Sequence, residues 1–372
     1  MSKRIVGYFG SWSVYRPDDG NFQINMIDPT MCTHLIYTFV GLGDGNDIKV
    51  LDPWADLSDG GGKDGFNKFN QLRKSSPGTK TLIAIGGWNQ GSEKYSQMAN
   101  TDDSRKQFAK NAVAFVEKYN FNGLDIDWEY PGQRGGNKCD VKNYIELLKV
   151  MRIEFDKAGL ILSAAVAAAE SSASQSYDIQ EMCKYLDFIN IMTYDLKGSW
   201  DSKTGMNAAL KPGNDEFGND RKLNVEACVD YWLKSGAPKD KLNLGVAFYG
   251  RTFTLSNEND NKVGSPACGP GAAGPYTREA GMLGYNEILE KCQNDKSWKI
   301  TYDEERCVPY AVNKNQWVSF DNIQSMEKKA EFIIERQLGG AMIWSLETDD
   351  FLGKWGNKYP LLSTLNHVLK RQ

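Results

Sequence analysis

Histidine is nearly absent from the chain, which has 372 residues but only His34 and His367. Two isolated histidines argue against a histidine-based metal site, a Ser-His-Asp triad and a Cys-His nucleophile. His34 lies in a strand-like run and is expected to be a structural residue with a satisfied hydrogen bond. His367 falls in the last helical pattern. The chemistry of this protein is therefore expected to rest on carboxylates, amides or hydroxyls.

Long apolar runs and basic runs are missing as well. No segment approaches the roughly 20 apolar residues of a membrane span. No Lys/Arg cluster offers the positive surface that nucleic acid requires. The chain has 44 basic and 48 acidic residues, a net charge of −4, which suits a neutral or cationic substrate. We therefore expect neither membrane insertion nor a nucleic-acid partner.

Signals of the cellular compartment are sparse. Residues 1–4 run directly into an apolar strand pattern without the hydrophobic region of a signal peptide, so either the protein is intracellular or a leader has been removed. The seven cysteines are scattered without a C-x-x-C pair, which argues against a zinc site. Cys268, Cys292 and Cys307 cluster in one polar region, and an oxidising compartment would favour a disulfide among them. Buried free thiols are the alternative.

Short apolar runs alternate with amphipathic stretches along the chain. Eight of these runs are predicted strands, at 4–9, 34–39, 81–85, 123–127, 161–167, 188–192, 242–248 and 340–344. Helical patterns fall at 64–74, 103–119, 140–157, 224–235 and 322–337, with Asp102 or Asp103 and Asp140 as candidate N-caps. This alternation predicts an α/β fold, a (β/α)8 TIM barrel. A doubly wound sheet is the alternative.

The interval between the seventh and eighth predicted strands is too long for one helix and two loops. It holds about 90 residues and is rich in Gly, Pro, Tyr and charge. We therefore expect an α+β subdomain inserted at about 253–317. Because the chain has no internal repeat and no flexible linker, we predict a single domain over residues 1–372.

Three carboxylates follow each other at alternate positions of the fourth predicted strand. Asp125, Asp127 and Glu129 share one face of this strand, and in a barrel that face is the interior. Two unit charges at about 6 Å repel by about 3 kcal/mol, or about two pKa units, at an effective dielectric near 20. At least one acid should therefore hold a proton near neutral pH and act as a general acid. A solvated acidic loop or a divalent-metal site is the alternative.

Five segments along the chain carry motifs that occur together in one enzyme family. They are 122–129 (NGLDIDWE), 86–88 (GGW), 192–195 (MTYD), 249–251 (YGR) and 342–345 (MIWS). Together they resemble the D-G-x-D-x-D-x-E signature, the S-x-G-G and M-x-Y-D motifs and the last two strand ends of glycoside hydrolase family 18, the chitinases. Segment 273–283, which contains Glu279, resembles the inserted subdomain of arthropod and vertebrate members. The resemblance covers nearly the whole chain.

The resemblance implies retaining hydrolysis of chitin or chitooligosaccharides, without metal or cofactor, in which the substrate itself is the nucleophile. Glu129 would be the acid and base. Asp127 would orient the acetamide of the −1 sugar, Asp125 would hydrogen-bond Asp127, and Tyr194 would donate to the acetamide oxygen. We expect endo action by an extracellular, secreted monomer whose leader is absent from this chain.

The same resemblance implies an aromatic sugar-binding cleft, because sugar rings present apolar C–H faces. Trp344 would floor the −1 site, Trp88 would line the leaving-group side and Trp12 the opposite side. The full set of substrate-binding candidates is Tyr8, Trp12, Phe39, Trp88, Asn89, Met192, Asp195, Trp200, Tyr249, Arg251, Glu279 and Trp344. The alternative for any one of the aromatics is a core role.

Three departures from the family pattern stand out. Asn122 replaces the first Asp of the signature, and Ala84 stands where Ser is often found. Gly7 replaces a Cys common in animal members, so Cys32 is expected to lack that partner. Two other functions stay open: an inactive chitin-binding lectin on the same fold, and an endo-β-N-acetylglucosaminidase acting on N-glycans.

Overall fold

Eight parallel strands close into a barrel in the computed structural model, which describes residues 3–370. They are β1 (Arg4–Gly10), β2 (His34–Leu42), β3 (Lys80–Gly86), β4 (Gly123–Asp127), β5 (Ile161–Ala167), β6 (Phe188–Met192), β7 (Leu242–Ala247) and β8 (Gly340–Trp344). β1 pairs with both β2 and β8, which closes the sheet. A short strand, Ile48–Val50, pairs antiparallel with the end of β2. The predicted TIM barrel is confirmed, and the doubly wound alternative is wrong because the sheet has no open ends.

Helices cover the outside of the barrel. The longer ones are Asp102–Lys118, Asp140–Ala158, Val225–Lys234, Ile323–Glu335 and Pro360–Leu369, and the shorter ones are Pro53–Asp56, Gly65–Gln71, Glu93–Ala99, Glu170–Ser176 and Ile179–Met182. Apolar residues at helical spacing, such as Phe108, Ala112 and Val116 of Asp102–Lys118, are buried against the strands.

The predicted helix caps are wrong in detail. Thr101, not Asp102 or Asp103, caps Asp102–Lys118, since its hydroxyl accepts from Ser104 N at 3.1 Å while Ser104 Oγ accepts from Thr101 N. Asp140 is the first residue of its helix, and its carboxylate accepts from Asn137 N at 2.8 Å in the preceding loop.

The barrel has two apolar layers. Outward-facing side chains of the strands, such as Leu124 and Ile126, join the large core under the helices. Inward-facing residues form a smaller cluster that includes Val6, Ile36 and Phe188. At the amino-terminal end of the barrel, the His34 ring packs edge-on against Phe188, and its Nδ1 lies 2.9 Å from Thr33 Oγ1. Burial lowers the pKa of His34 to about 4.

A second sheet of six antiparallel strands lies between β7 and β8 along the chain. Its strands are Tyr249–Leu255, Ala267–Pro270, Met282–Gly284, Lys299–Asp303, Val308–Asn313 and Gln316–Ser319, and Tyr285–Asn294 is its helix. The loop after β6 is bonded to this insertion: Ser265 O accepts from Thr204 N at 2.9 Å, and Asn207 N donates to Ser319 Oγ at 2.6 Å. The insertion therefore holds the loop that carries Trp200.

Within residues 3–370, none of the helices combines the length and the apolar character that crossing a membrane requires.

All seven cysteines are unpaired, so the disulfide considered for Cys268, Cys292 and Cys307 is not formed. Gly7 faces Cys32 across the β1–β2 pair, and a Cβ atom added to Gly7 would lie 3.0 Å from Cys32 Sγ. A Cβ atom and the far sulfur of a disulfide are separated by one C–S and one S–S bond, the latter of about 2.04 Å, so this spacing suits a cross-link.

We predict that Gly7→Cys forms a disulfide with Cys32 under oxidising conditions and raises the melting temperature. Closing a loop of roughly 25 residues restricts the unfolded chain by about 3 kcal/mol, less the strain of moving Leu346 aside. Thermal unfolding with and without reductant measures this, and Gly7→Ser is the matched control without a thiol. Free thiols in the oxidised variant would contradict the prediction.

Candidate active site

Asp125 and Asp127 of β4, and Glu129 two residues beyond its end, lie together inside the carboxyl-terminal mouth of the barrel. Asp125, Asp127 and Glu129 are 0%, 4% and 8% exposed, so exposure rises towards the mouth. Trp128, which points the other way, is buried in the outer core. The alternation inferred from the sequence is therefore present, and a solvated acidic loop is excluded.

Asp125 is the most completely hydrogen-bonded of the three acids. Tyr8 OH donates to its Oδ2 at 2.6 Å, and Ser163 Oγ donates to its Oδ1 at 2.6 Å. Asn190 Nδ2 adds a longer contact of 3.4 Å. Burial raises the pKa of Asp125 to about 6, and these donors counter the rise because they stabilise the anion.

Asp127 is buried with little compensation. Its Oδ1 has no hydrogen-bond partner among the described residues. Burial, with the negative charges of Glu129 and Asp125, raises the pKa of Asp127 well above its ordinary value. A carboxyl group in this setting holds a proton and directs an unsatisfied oxygen towards a ligand.

Glu129 lies at the outer end of the row. Burial raises its pKa to about 7, while a hydrogen bond from Tyr130 and the positive charge of Arg134 oppose the rise, and the charge of Asp195 adds to it. Such a group exchanges a proton near neutral pH, as a general acid and base must.

Arg134 connects Glu129 to the cleft wall. Its Nη1 donates to Glu129 O at 3.1 Å and to Trp88 O at 2.9 Å. Its guanidinium carbon lies 3.5 Å from the centroid of the Trp88 ring. This cation–π contact covers one face of Trp88 and links the Trp88 turn to the segment that carries Glu129.

A polar cluster stands at the ends of β6 and β7. Tyr249 OH and Arg251 Nε both donate to Asp195 Oδ1, at 2.6 and 2.7 Å. Glu279 from the insertion lies 4.0 Å from Arg251 Nη1 and is exposed. Tyr194, buried beside Tyr249, contacts only Met342 Sδ with its hydroxyl, at 3.6 Å.

Aromatic rings form a continuous floor beside the acids. The Trp344 ring lies 5.6 Å from Tyr8, 6.1 Å from Trp12 and 5.8 Å from Phe39, between centroids. Met192 packs with Phe39 and Trp344 against the inner cluster. The structure therefore brings the predicted floor residues together.

The remaining predicted wall residues lie on the rim. Trp88, in a short turn with exposed Asn89, is 58% exposed, and Trp200 is 61% exposed. The guanidinium carbon of Arg251 lies 5.3 Å from the Trp200 ring. These flat apolar faces are available to a ligand and are not core residues.

Several site residues were not predicted from the sequence. Ser163 and Asn190 are polar residues at inward positions of otherwise apolar strands, and that pattern is a signal that identifies them. Arg134 is in a loop and carries no such signal. Beyond Trp12, Tyr15 and Trp54 stack at 5.6 Å and are both exposed.

Among residues 3–370, no group of three or more His, Cys, Asp or Glu side chains is arranged to hold a metal ion.

Proteins similar to this chain in sequence and in structure are known. The profile described as glycosyl hydrolases family 18 matches residues 4–349. Probable chitinase 2 of Drosophila melanogaster is 40% identical, over 98% of this chain and 80% of that protein. The Ostrinia furnacalis group IV chitinase in complex with allosamidin is 44% identical, with a TM-score of 0.96 over 99% of both chains. Human YKL-39, described as a pseudo-chitinase with retained chitooligosaccharide binding, is 36% identical, with a TM-score of 0.91 over 99% of this chain and 100% of that one.

We predict that Glu129→Gln stabilises the folded protein at pH 8 but not at pH 4. Near pH 4 the wild-type carboxyl is largely protonated both folded and unfolded. As pH rises from the ordinary value of 4.5 through about 7, the unfolded chain ionises first, so stability is lost. Removing that cost is worth on the order of 3 kcal/mol at pH 8. Denaturant unfolding at both pH values measures it, with exposed Glu258→Gln as control. Equal effects at both pH values would contradict the prediction.

Proposed function

The chain belongs to glycosyl hydrolase family 18 and is a glycoside hydrolase of the chitinase type, and from this premise we propose that it cleaves β-1,4-N-acetylglucosamine linkages with retention, by substrate-assisted catalysis. One observation carries the mechanism. Asp125 and Asp127 precede the proton donor Glu129 on the same segment of chain. Asp195, the other acid whose charge acts on Glu129, already accepts hydrogen bonds from Tyr249 and Arg251.

In the first step, Glu129 protonates the glycosidic oxygen as the bond from that oxygen to C1 breaks. The carbonyl oxygen of the 2-acetamido group attacks C1 and forms an oxazolinium ion. The open Oδ1 of Asp127 accepts from the acetamide N–H and orients the group for attack on C1. Tyr194, whose hydroxyl makes only a weak contact to sulfur, is free to donate to the acetamide oxygen.

In the second step, Glu129 is a carboxylate and removes a proton from water. The water oxygen attacks C1 from the face that the leaving sugar vacated, the oxazolinium ring opens, and the configuration is retained. Asp125 stays an acceptor of donors from three strands. No step requires a metal or a cofactor.

The cleft supports endo action on a polymer. Trp88, Asn89 and Trp200 are exposed on the proposed leaving-group side, and Trp12 is exposed on the other. The exposed Tyr15, in the same short helix as Trp12, stacks on Trp54 and adds a second pair of aromatic rings near Trp12. Aromatic faces on both sides of Glu129 suit a long chain bound across the acid.

Two other functions fit less well. A chitin-binding lectin, such as the pseudo-chitinase relative, needs the aromatic floor but no proton donor, whereas here all three acids are present and protonatable. A glycosidase of the N-glycan core needs only a short acceptor site, which leaves the second aromatic wall without a role.

The biological setting is a proposal too. We propose that residues 1–372 act as a monomeric, single catalytic domain in an extracellular, oxidising setting. The inserted subdomain, expected at about 253–317, would act as the wall that supports Arg251 and Trp200.

We predict that Glu129→Gln lowers kcat on a fluorogenic chitotriose glycoside by about 10³-fold and leaves the Kd for a chitin pentamer unchanged, because only proton transfer is lost. Release of the fluorophore and calorimetric titration measure the two quantities. The isosteric variant Glu258→Gln, at an exposed residue outside the predicted site, is the control. Absence of turnover by the wild-type protein would refute the chitinase proposal itself, and an active Glu129→Gln would refute the role of this acid.

Substrate assistance makes a separate prediction. A hexamer of glucosamine lacks the acetamide carbonyl, so it should bind but be cleaved at least about 10²-fold more slowly than the acetylated hexamer. With the acetylated hexamer, NMR within the first minutes should show the β anomer at new reducing ends. An initial α anomer, or equal rates on both hexamers, would contradict the mechanism.

A further inference from the structure

A line of hydrogen bonds crosses the barrel interior and ends at Asp125. It begins at Arg4, the first residue of β1, at the amino-terminal end of the barrel. Arg4 Nε donates to Asn243 Oδ1 at 3.1 Å. Asn243 Nδ2 then donates to Asn190 Oδ1 at 2.9 Å. Asn190 Nδ2 donates to Tyr8 OH at 2.9 Å and approaches Asp125 Oδ1 at 3.4 Å.

The direction of every bond in this line is fixed by its first member. A guanidinium group has donors and no acceptor, so the Asn243 amide must turn its oxygen to Arg4. The Asn243 NH2 group then faces Asn190 and requires an oxygen there. The Asn190 NH2 group is thereby left facing Tyr8 and Asp125, and both of its neighbours receive a proton donor.

Two glycines make this path possible. Asn243 on β7 and Arg4 on β1 both flank Gly340 of β8 in the strand register. A Cβ atom on the preceding Gly339 would lie only 2.1 Å from Arg4 Nη2. Small residues at this point let the arginine side chain cross β8 and reach Asn243, whose side chain is fully buried.

We propose that Arg4 and Asn243 are remote positioning residues that orient the Asn190 amide, so that Asp125 remains a proton acceptor and the proton of the acid row rests on Asp127. This inference rests on the proposed function, because it assigns a purpose to that distribution of protons. Neither residue touches the substrate.

Few groups are placed to donate a hydrogen bond to Asp125. Tyr8 faces it from β1, Ser163 from β5 and Asn190 from β6, while β3 contributes Ala84, whose side chain has no polar atom. Asp127 is the other acid of β4. Tyr144, on the helix Asp140–Ala158, is a further titratable group near Asp125, since burial and the charge of Asp125 raise the pKa of Tyr144. Reversal of the Asn190 amide would replace a donor by an oxygen that repels the carboxylate.

The test compares Arg4→Gln with Arg4→Lys. Glutamine offers an acceptor as well as donors and no longer enforces the direction of the line, whereas lysine only donates. We expect Arg4→Gln to move the acidic limb of the kcat/KM profile on the chitotriose glycoside upward by about half a pH unit, with KM unchanged, and Arg4→Lys to keep the wild-type limb. Lys80→Gln, which removes a charge from an exposed residue at the same end of the barrel, is the matched control.

A second variant tests the line at its middle. Asn243→Asp leaves Arg4 in place but presents an oxygen to Asn190, so it should move the limb in the same direction. Thermal unfolding confirms that each variant is folded. The proposal is overturned if both Arg4→Gln and Asn243→Asp keep the acidic limb of the wild-type kcat/KM profile. It is also overturned if they lose rate equally at every pH.

Carboxyl titration separates this inference from the proposed function. Labelled aspartate carboxyls followed by ¹³C NMR, with Asp125→Asn for assignment, report the protonation of Asp125 without turnover. If the wild-type protein is inactive but Asp125 titrates at a higher pH in Arg4→Gln, the proposed function is refuted and the positioning role of Arg4 is supported. If the wild-type protein is active and Asp125 titrates at the same pH in both proteins, the proposed function is supported and the positioning role is refuted.

Discussion

The rest of the barrel interior has to satisfy one constraint, the burial of three carboxylates on one side of β4 and of the two residues that follow it. Charges so close together in a poorly solvated space repel strongly, so the row is stable only if protons are retained and anions receive donors. Asp125 receives those donors from β1, β5 and β6, whereas Asp127 keeps an open oxygen and its proton. Glu129, at the mouth, is left to exchange its proton with a ligand. Burial therefore decreases slightly from Asp125 to Glu129, in the direction of the strand.

Much of the fold follows from local pattern. The bounds of β4, β5, β6 and β8 agree with prediction because period-two alternation and short apolar runs leave little freedom in placing them. Helix ends are harder to predict from the sequence. Thr101, and not the acidic Asp102 or Asp103, is the N-cap, since capping depends on backbone geometry and not on charge. The order of strands around the barrel is a tertiary property.

The residues of the site also fall into those that the sequence pattern identifies and those that it does not. The acids share one strand, so their common face was readable in the chain. Ser163 and Asn190 were recognisable only as isolated polar residues in apolar strands, and their contact with Asp125 depends on strand register. The packing of Arg134 on Trp88 joins two loops, and no periodicity links loops that are distant in sequence. The barrel alone does not decide between enzyme and lectin.

The bonds between the insertion and the loop after β6 have a consequence for the modularity of the domain. An inserted subdomain is often regarded as an accessory that a lineage gains or discards at little cost to its host. Here Ser265 and Ser319 supply partners for Thr204 and Asn207, and so support the loop that presents Trp200. Host and insert therefore share one boundary of the cleft, and change in either is restrained by the other. A graft of this insertion onto another barrel would need its matching loop as well.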